Sequence, residues 1–291
     1  MLRSLVLGAS GQIGRFLVPR LLDAGHDVLA VSRQLRESKR ARLRWIAGDL
    51  FATMPELAPV DAIFSLGPLD GFAAWLAAAR LHGTPRIIAL GSMSIESKRG
   101  STDPHERALV ETLRRGEVQL AEAADKRGCA WTLLRPTLIY GAGIDRSLSA
   151  LARFGSRFRV LPKVSFAKGL RQPVHADDLA DACLSALGRD SARCRTFDLG
   201  GGERLGFAEM LERVRCSLPG PVLGDPLTPR MARLALSIAR TRPRWRGLGQ
   251  AALERLQHDL VADDAPARRD LAWAPRAFLP EASTWQAREL D

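Results

Sequence analysis

Gly8, Gly11 and Gly14 recur at every third position in Gly8-Ala9-Ser10-Gly11-Gln12-Ile13-Gly14, a spacing suited to binding a pyrophosphate. In such a turn the first glycine permits a tight reversal and the second lets main-chain N–H groups approach the anion closely. The third lets the following helix pack against the preceding strand. Ser10, Gln12 and Ile13 complete the turn and are assigned to the cofactor with the glycines. The anion would rest on a helix N-terminus, where unpaired N–H groups and the macrodipole favour negative charge.

The turn has the flanks this chemistry needs. Leu5-Val6-Leu7 reads as a strand, Arg15 to Leu22 as a helix, and Val28-Leu29-Ala30-Val31 as a second strand. That strand stops at Ser32-Arg33, 18 residues after Gly14. An acid there would bind the ribose 2′-OH of NAD, whereas an arginine accommodates the 2′-phosphate of NADP. Ser32 and Arg33 are followed by Arg36, Lys39 and Arg40, with no acid before Glu37, so NADP(H) is favoured over NAD(H).

Positioning these residues requires a sheet. Leu43-Arg44-Trp45-Ile46, Asp61 to Leu66, Arg86 to Leu90 and Trp131 to Leu134 read as further strands. Helices are expected over Gly71 to Leu81 and over Pro104 to Lys126, the second capped by Asp103. Strands and helices alternating at this rhythm predict an α/β fold, a doubly wound parallel sheet. Ligands of such sheets bind outside the carboxyl ends of the strands. One cleft should therefore collect the loops at Gly8, Ser32, Asp49, Ser65-Leu66-Gly67, Ser92 and Pro136.

Beyond Tyr140 the rhythm changes. Asp145 to Phe154 reads as a helix, Phe158 to Leu161 as a short strand, Asp177 to Leu187 as an Asp-capped helix, Thr196 to Leu199 as a strand and Phe207 to Leu218 as a helix. Residues 1–165 are assigned to the dinucleotide-binding domain and 166–291 mostly to a small C-terminal substrate lobe interleaved with the sheet.

Composition bounds the rest. With 291 residues, 46% of them hydrophobic, the chain can bury a sizeable core. It has no run of eighteen apolar residues and no secretion signal, so a cytoplasmic protein without a membrane span is expected. Cys129, Cys183, Cys194 and Cys216 are far apart, with no metal-ligand spacing, so no metal is expected. The net charge is +11, but only five of the 43 basic residues are lysine and the other 38 are dispersed arginines. Nucleic acid is disfavoured as a partner because no recognition motif accompanies the charge. The exception to the dispersal is Arg230 to Arg246. Within it, Met231, Leu234 and Ile238 make an apolar stripe beside arginine: a lobe helix with solvated Arg, a wall for a phosphate-bearing substrate, or a membrane-surface helix. Nothing in the sequence speaks for or against a homo-oligomer.

Three further places carry acid–base groups. His105 and Glu106 open the long helix and read as a solvated imidazole and a first-turn carboxylate. His175 reads as ordering a loop, and Asp177 and Asp178 as a helix cap and a first-turn acid.

In order and spacing these landmarks resemble the extended short-chain dehydrogenase/reductase family, which contains the NAD-dependent epimerases and dehydratases of nucleotide sugars. The resemblance rests on Gly8 to Gly14, Gly48-Asp49-Leu50, Leu134-Arg135-Pro136 through Tyr140-Gly141, Val174-His175-Ala176-Asp177-Asp178-Leu179-Ala180, Phe197-Asp198-Leu199-Gly200-Gly201, and Ala267 through Pro275. It implies that Asp49 and Leu50 lie by the adenine and Pro136 by the nicotinamide end. It also implies a tyrosine and a lysine four residues apart on the long helix, which exchange a proton with a substrate hydroxyl as hydride moves.

Here the chain departs from the pattern of the family it resembles. Its single tyrosine, Tyr140, belongs to the segment after Arg135-Pro136, where the resemblance implies that it packs the floor of the cleft. Anchoring the helix on Gly116-Glu117 puts Leu109 and Leu113 where the pair would stand. The family's serine aligns near Ser92 and Ser94, and Ser92 is carried over as cleft-lining only. The resulting expectation is an NAD(P)(H)-binding protein without the usual dyad. It would be either an atypical reductase or a non-catalytic cofactor-dependent sensor or scaffold, acting on or responding to a small molecule. A conventional nucleotide-sugar epimerase, dehydratase or reductase and a basic nucleic-acid- or membrane-surface-binding protein are the alternatives.

Overall fold

A computed structural model describes residues 2–289 except 35, 225, 227, 229 and 232–253. Six apolar runs and one later segment form a seven-stranded parallel sheet. Its strands are β1 (Arg3–Leu7), β2 (Asp27–Ser32), β3 (Leu43–Ala47), β4 (Ala62–Ser65), β5 (Arg86–Leu90), β6 (Trp131–Pro136) and β7 (Arg195–Leu199). Their order is β7-β6-β5-β4-β1-β2-β3, so the chain winds outward from β1 in both directions, as a doubly wound sheet must. The central strands are covered on both faces, which is why they read as unbroken apolar runs; all four residues of β4 are buried.

Helices α1 (Gly14–Asp23) and α6 (Ala176–Gly188) cover one face, where Phe16, Leu17 and Leu21 pack with Leu179 and Cys183. Helices α2 (Leu69–Ala78) and α4 (Pro104–Asp125) cover the other through Phe72, Leu76, Leu120 and Ala124. A one-turn helix, α3 (Ser94–Ser97), follows β5. The crossover 48–61 between β3 and β4 holds no helix, and its Leu57 and Val60 cover the sheet instead. Among the described residues no helix is long and apolar enough to cross a membrane.

Helices α5 (Leu148–Phe158) and α7 (Phe207–Cys216) enclose a separate cluster of Tyr140, Leu148, Met210, Val214, Phe278 and Trp285. β7 rejoins the main sheet beside β6, and the indole N–H of Trp273 donates to the Gly200 carbonyl at 3.0 Å, tying the closing segment to that strand's exit.

Three sequence expectations change in this half. α5 starts at Leu148 because the Asp145 carboxylate accepts hydrogen bonds from the Ser147 and Ser149 N–H groups, so Asp145 precedes the helix. α5 then runs on to Phe158, whose ring lies 4.8 Å from that of Phe154 one turn earlier, in place of the expected strand at Phe158 to Leu161. α6 is capped by His175, whose Nδ1 accepts from the Asp177 N–H at 3.1 Å, and both aspartates fall in the first turn. Met231 and Arg230 are described, but the remainder of the basic segment, 232–246, lies outside the described residues.

Candidate functional site

The register of the sheet brings the expected loops to one edge. Leu7, at the end of β1, is level with Val31 and Ser65, Ser65 is level with Ala89, and Ser32 is level with Ala47. At that edge Gly8 has φ +77°, and a Cβ there would lie 3.1 Å from the Leu66 carbonyl carbon. A Cβ on Gly14 would fall 2.2 Å from the Ala9 carbonyl oxygen, so the helix meets the turn backbone to backbone. Gly11 differs: its Cβ would meet only the Gly8 oxygen, at 3.0 Å, with nothing else within 4 Å. The space beside Gly11 is therefore open, as a pyrophosphate needs.

The start of α1 is equally receptive. Ile13 at its N-cap offers no side-chain acceptor and the first turn holds no acid, so the helix N–H groups and dipole are left for an anion. Gln12 contributes a buried Oε1 without a hydrogen-bond partner. These residues fit a dinucleotide.

Toward the β2 end, Ser32 is half-buried and Arg33 exposed, and Ser32 Oγ accepts from the Gln34 N–H at 3.3 Å. The Arg36 guanidinium lies 5.6 Å over the Trp45 ring. Arg15, which the sequence reading passed over, belongs here too. Its Nε donates to the Ser10 carbonyl at 3.2 Å, and burial together with the neighbouring Arg36 lowers its pKa, against the opposing pull of Glu289. Its signal in the sequence was its place directly after the third glycine. Asp49 closes its own turn by accepting from the Phe51 N–H at 2.9 Å, and Leu50 Cδ1 comes within 4.0 Å of the Cβ position of Gly67. Ser65 is buried, its hydroxyl unpartnered and shut from solvent.

From Gln12 the edge opens into a cleft of about 820 Å³ that Ser92, Ser94, Pro136, Thr137 and Phe207 help to line. Ser92 Oγ accepts from the Ser94 N–H at 3.1 Å, which leaves its own proton to donate. A second hollow, of about 700 Å³, runs along edge strand β3 and includes none of the glycine-turn residues.

One ion pair ties α4 to the end of β6. The Arg135 guanidinium clasps both oxygens of Glu117, with Nε at 2.7 Å, and a Cβ on Gly91 would lie 3.4 Å from the same carboxylate. Leu113 and Leu109 stand one and two turns before Glu117 on the same helix face, with Leu109 exposed. The only tyrosine is elsewhere. Tyr140 is 2% exposed, stacked edge-on against His175 and Phe278 with centroids at 5.0 and 4.9 Å, and burial beside Asp178 raises its pKa.

His105, Glu106, Asp177 and Asp178 do not line the cleft. His105 is exposed, and its main-chain N–H donates to the Asp103 cap at 2.8 Å. Glu106 is the first-turn acid expected of α4. It is buried against Ser101, Lys98 and Arg255. Asp177 pairs with Arg20 and Arg276, and Asp178 with Arg276. Among the described residues no group of three or more His, Cys, Asp or Glu is placed to hold a metal.

A sequence model described as NAD(P)H-binding matches residues 8–189. The 2-alkyl-3-oxoalkanoate reductase of Stenotrophomonas maltophilia is 25% identical, the alignment spanning 96% of this chain and 97% of the relative. The (4-alkanoyl-5-oxo-2,5-dihydrofuran-3-yl)methyl phosphate reductase of Streptomyces griseus is 27% identical over 81% of this chain and 79% of that protein. Among solved structures, UDP-glucuronic acid 4-epimerase from Bacillus cereus in complex with NAD superposes with a TM-score of 0.70 at 15% identity, covering 98% of this chain and 97% of that one.

Proposed function

The chain belongs to the NAD(P)H-binding family, its fold is that of the extended short-chain dehydrogenase/reductases, and from that premise we propose an NADP(H)-preferring reductase of a small anionic carbonyl compound. It would work without the family's tyrosine–lysine pair. The observation that carries this reading is the juxtaposition of an uncapped, acid-free α1 N-terminus behind Gly11 with the cleft at Ser92 and Pro136. The N–H groups of the Gly8–Gly14 turn would hold the pyrophosphate, Asp49 and Leu50 the adenine side, and Ser92 and Pro136 the nicotinamide end. When bound there, the nicotinamide supplies a hydride. Two relatives support the substrate class: one is named for an oxoalkanoate and the other for a phosphate-bearing lactone.

With leucines at 109 and 113, no phenol or ammonium on that helix face can deliver a proton. Among the hydroxyls that line the cleft, Ser92 is the donor assigned here to the carbonyl. A serine hydroxyl does not ionise readily, so its proton is replaced from water in the open cleft. Leu109→Tyr with Leu113→Lys is expected to speed NADPH-dependent reduction of acetoacetate, followed at the NADPH absorbance. No acceleration in a folded double variant that still binds NADPH would overturn the placement of these residues.

NADPH preference rests on Arg33 at the end of β2, together with Arg15 and Arg36, whose charges act on one another. A charge-assisted bond to phosphate contributes about 1.5–3 kcal/mol, roughly ten- to a hundredfold in affinity. Fluorescence titration should find NADPH bound more tightly than NADH by about tenfold, with the preference shrinking in Arg33→Ala. Equal affinities would remove the NADP assignment; absence of both complexes would remove the reductase. Cofactor binding with no turnover of any carbonyl would leave a sensor in its place.

A further inference from the structure

We propose that Lys98 and Arg255 form an oxyanion site in the wall of the cleft, which takes the carboxylate or phosphate of the substrate. The inference deepens the reductase reading above and depends on it for the substrate's reactive end. It begins with two segments far apart in sequence that meet on one buried acid.

Lys98 closes α3, with its N–H on the Ser94 carbonyl at 3.1 Å. Arg255 arrives from the opposite side on a segment strapped to residues 169–171. The Gly169 N–H donates to the Leu256 carbonyl at 2.9 Å, and the Leu260 N–H donates to the Leu170 carbonyl at 2.9 Å. The Arg171 guanidinium donates to the carbonyls of Arg255 and His258 at 2.8 and 2.9 Å. Both cations reach the same oxygen of Glu106: Lys98 Nζ stands 3.6 Å from Oε1, and the Arg255 guanidinium bonds to it. The other oxygen accepts from Ser101 Oγ at 2.7 Å.

The arrangement is unbalanced in charge and one-sided in exposure. Two positive side chains share one carboxylate. Lys98 and Arg255 are each 23% exposed and line the cleft, whereas Glu106 is 10% exposed and does not. Glu106 thus holds the two cations from behind and leaves their remaining N–H groups to the cavity. An ammonium has three donors and a guanidinium five, so each keeps some after the bond to Glu106.

The other charges of the cleft are engaged elsewhere. Asp145 accepts from Ser147 and Ser149, and Asp259 from the Leu170 N–H at 2.7 Å. Arg171 is consumed by main-chain carbonyls, and Glu96 lies 3.7 Å from Arg99. Arg146 is on the exposed rim. Among the described residues, Lys98 and Arg255 are therefore the cations inside the rim with N–H groups left for the cavity, and Glu106 matches only one of their two charges. In a partly desolvated cleft an oxyanion that replaces water there gains charge-assisted bonds from both.

Acetoacetate and dihydroxyacetone phosphate are suitable probes, with methyl acetoacetate and dihydroxyacetone as neutral counterparts. Calorimetric titration should show at least one anion bound about tenfold more tightly than its neutral counterpart. Which anion is preferred separates a carboxylate site from a phosphate site. Lys98→Gln, which retains the Glu106–Arg255 pair, should erase that advantage, and Lys98→Arg should restore most of it. Neither anion bound more tightly than its neutral counterpart, or an advantage unchanged in Lys98→Gln, would overturn the site. NADPH fluorescence titration of the same samples reads the other half of the cleft. Loss of cofactor binding with anion discrimination intact would sink the reductase and leave this site standing.

Discussion

Gly11→Ala and Gly14→Ala are expected to fail in different ways, and the contrast separates the cofactor cradle from the fold. At Gly14 the added methyl would sit 2.2 Å from the Ala9 oxygen, 2.5 Å from its carbonyl carbon and 2.6 Å from its Cα. All three are main-chain atoms, so no side-chain rotation relieves the overlap. α1 must move outward and unpack Phe16, Leu17 and Leu21, which are at most 5% exposed. Overpacking of this kind costs about 3 kcal/mol or more, enough to lower the denaturation midpoint sharply.

At Gly11 the methyl would press only on the Gly8 oxygen at 3.0 Å and otherwise project into open space. A loss of about 1 kcal/mol in stability is expected there, with NADPH affinity reduced about tenfold or more. Urea denaturation and NADPH titration of both variants check the pair. Wild-type stability in Gly14→Ala would show that the helix does not need this contact. Wild-type NADPH affinity in Gly11→Ala would show that the pyrophosphate binds elsewhere.

That contrast also marks what was legible in the chain. The sheet could be read because strands buried on both faces are written as unbroken apolar runs. β5 was expected over Arg86 to Leu90 and is found there. The glycine turn was legible because each glycine answers a local demand. What could not be read depends on contacts distant in sequence. Glu106 was legible as a first-turn acid, but its partner Arg255, 149 residues later, was not. The strand expected at Phe158 to Leu161 had the right residue types. The Phe154–Phe158 stack keeps the helix going, and Arg159 then ends it at φ 56°. The α6 cap was assigned to the more usual aspartate, but both aspartates are drawn to Arg20 and Arg276, and the histidine before them accepts the N–H. Of the expected cleft residues, Gln12, Ser92 and Pro136 line one cavity with Lys98 and Arg255, which no local pattern announced.

His175 is expected to make the protein's stability fall as the solution is acidified from pH 6.5. Burial, reinforced by Arg276, lowers the imidazole's pKa to about 4. The ring is confined on several sides: against Tyr140 at 5.0 Å and Phe16 at 5.5 Å, and above Gly141, whose Cβ would meet Nε2 at 2.1 Å. Its Nδ1 is occupied in accepting the Asp177 N–H, a role that requires the unprotonated nitrogen. In the unfolded chain the same imidazole takes its proton near pH 6.5. Between pH 6.5 and about 4 the unfolded state therefore binds a proton that the folded state refuses. Stability is fully present above pH 6.5 and declines below it by up to ~1.4 kcal/mol per pH unit, in total no more than ~3 kcal/mol once residual solvent contact is allowed for.

Asp198, whose pKa burial raises, works in the opposite direction at the acid end, so the wild-type slope alone does not isolate the histidine. His175→Asn does. Asparagine keeps a cap acceptor for the Asp177 N–H and cannot titrate, while Asp198 is common to both proteins. The variant should be less stable at neutral pH, having lost the ring's packing against Tyr140 and Phe16, yet flatter in its acid dependence. Denaturation midpoints measured across this range decide the matter: parallel decline in both proteins would mean that the acid sensitivity originates in other groups.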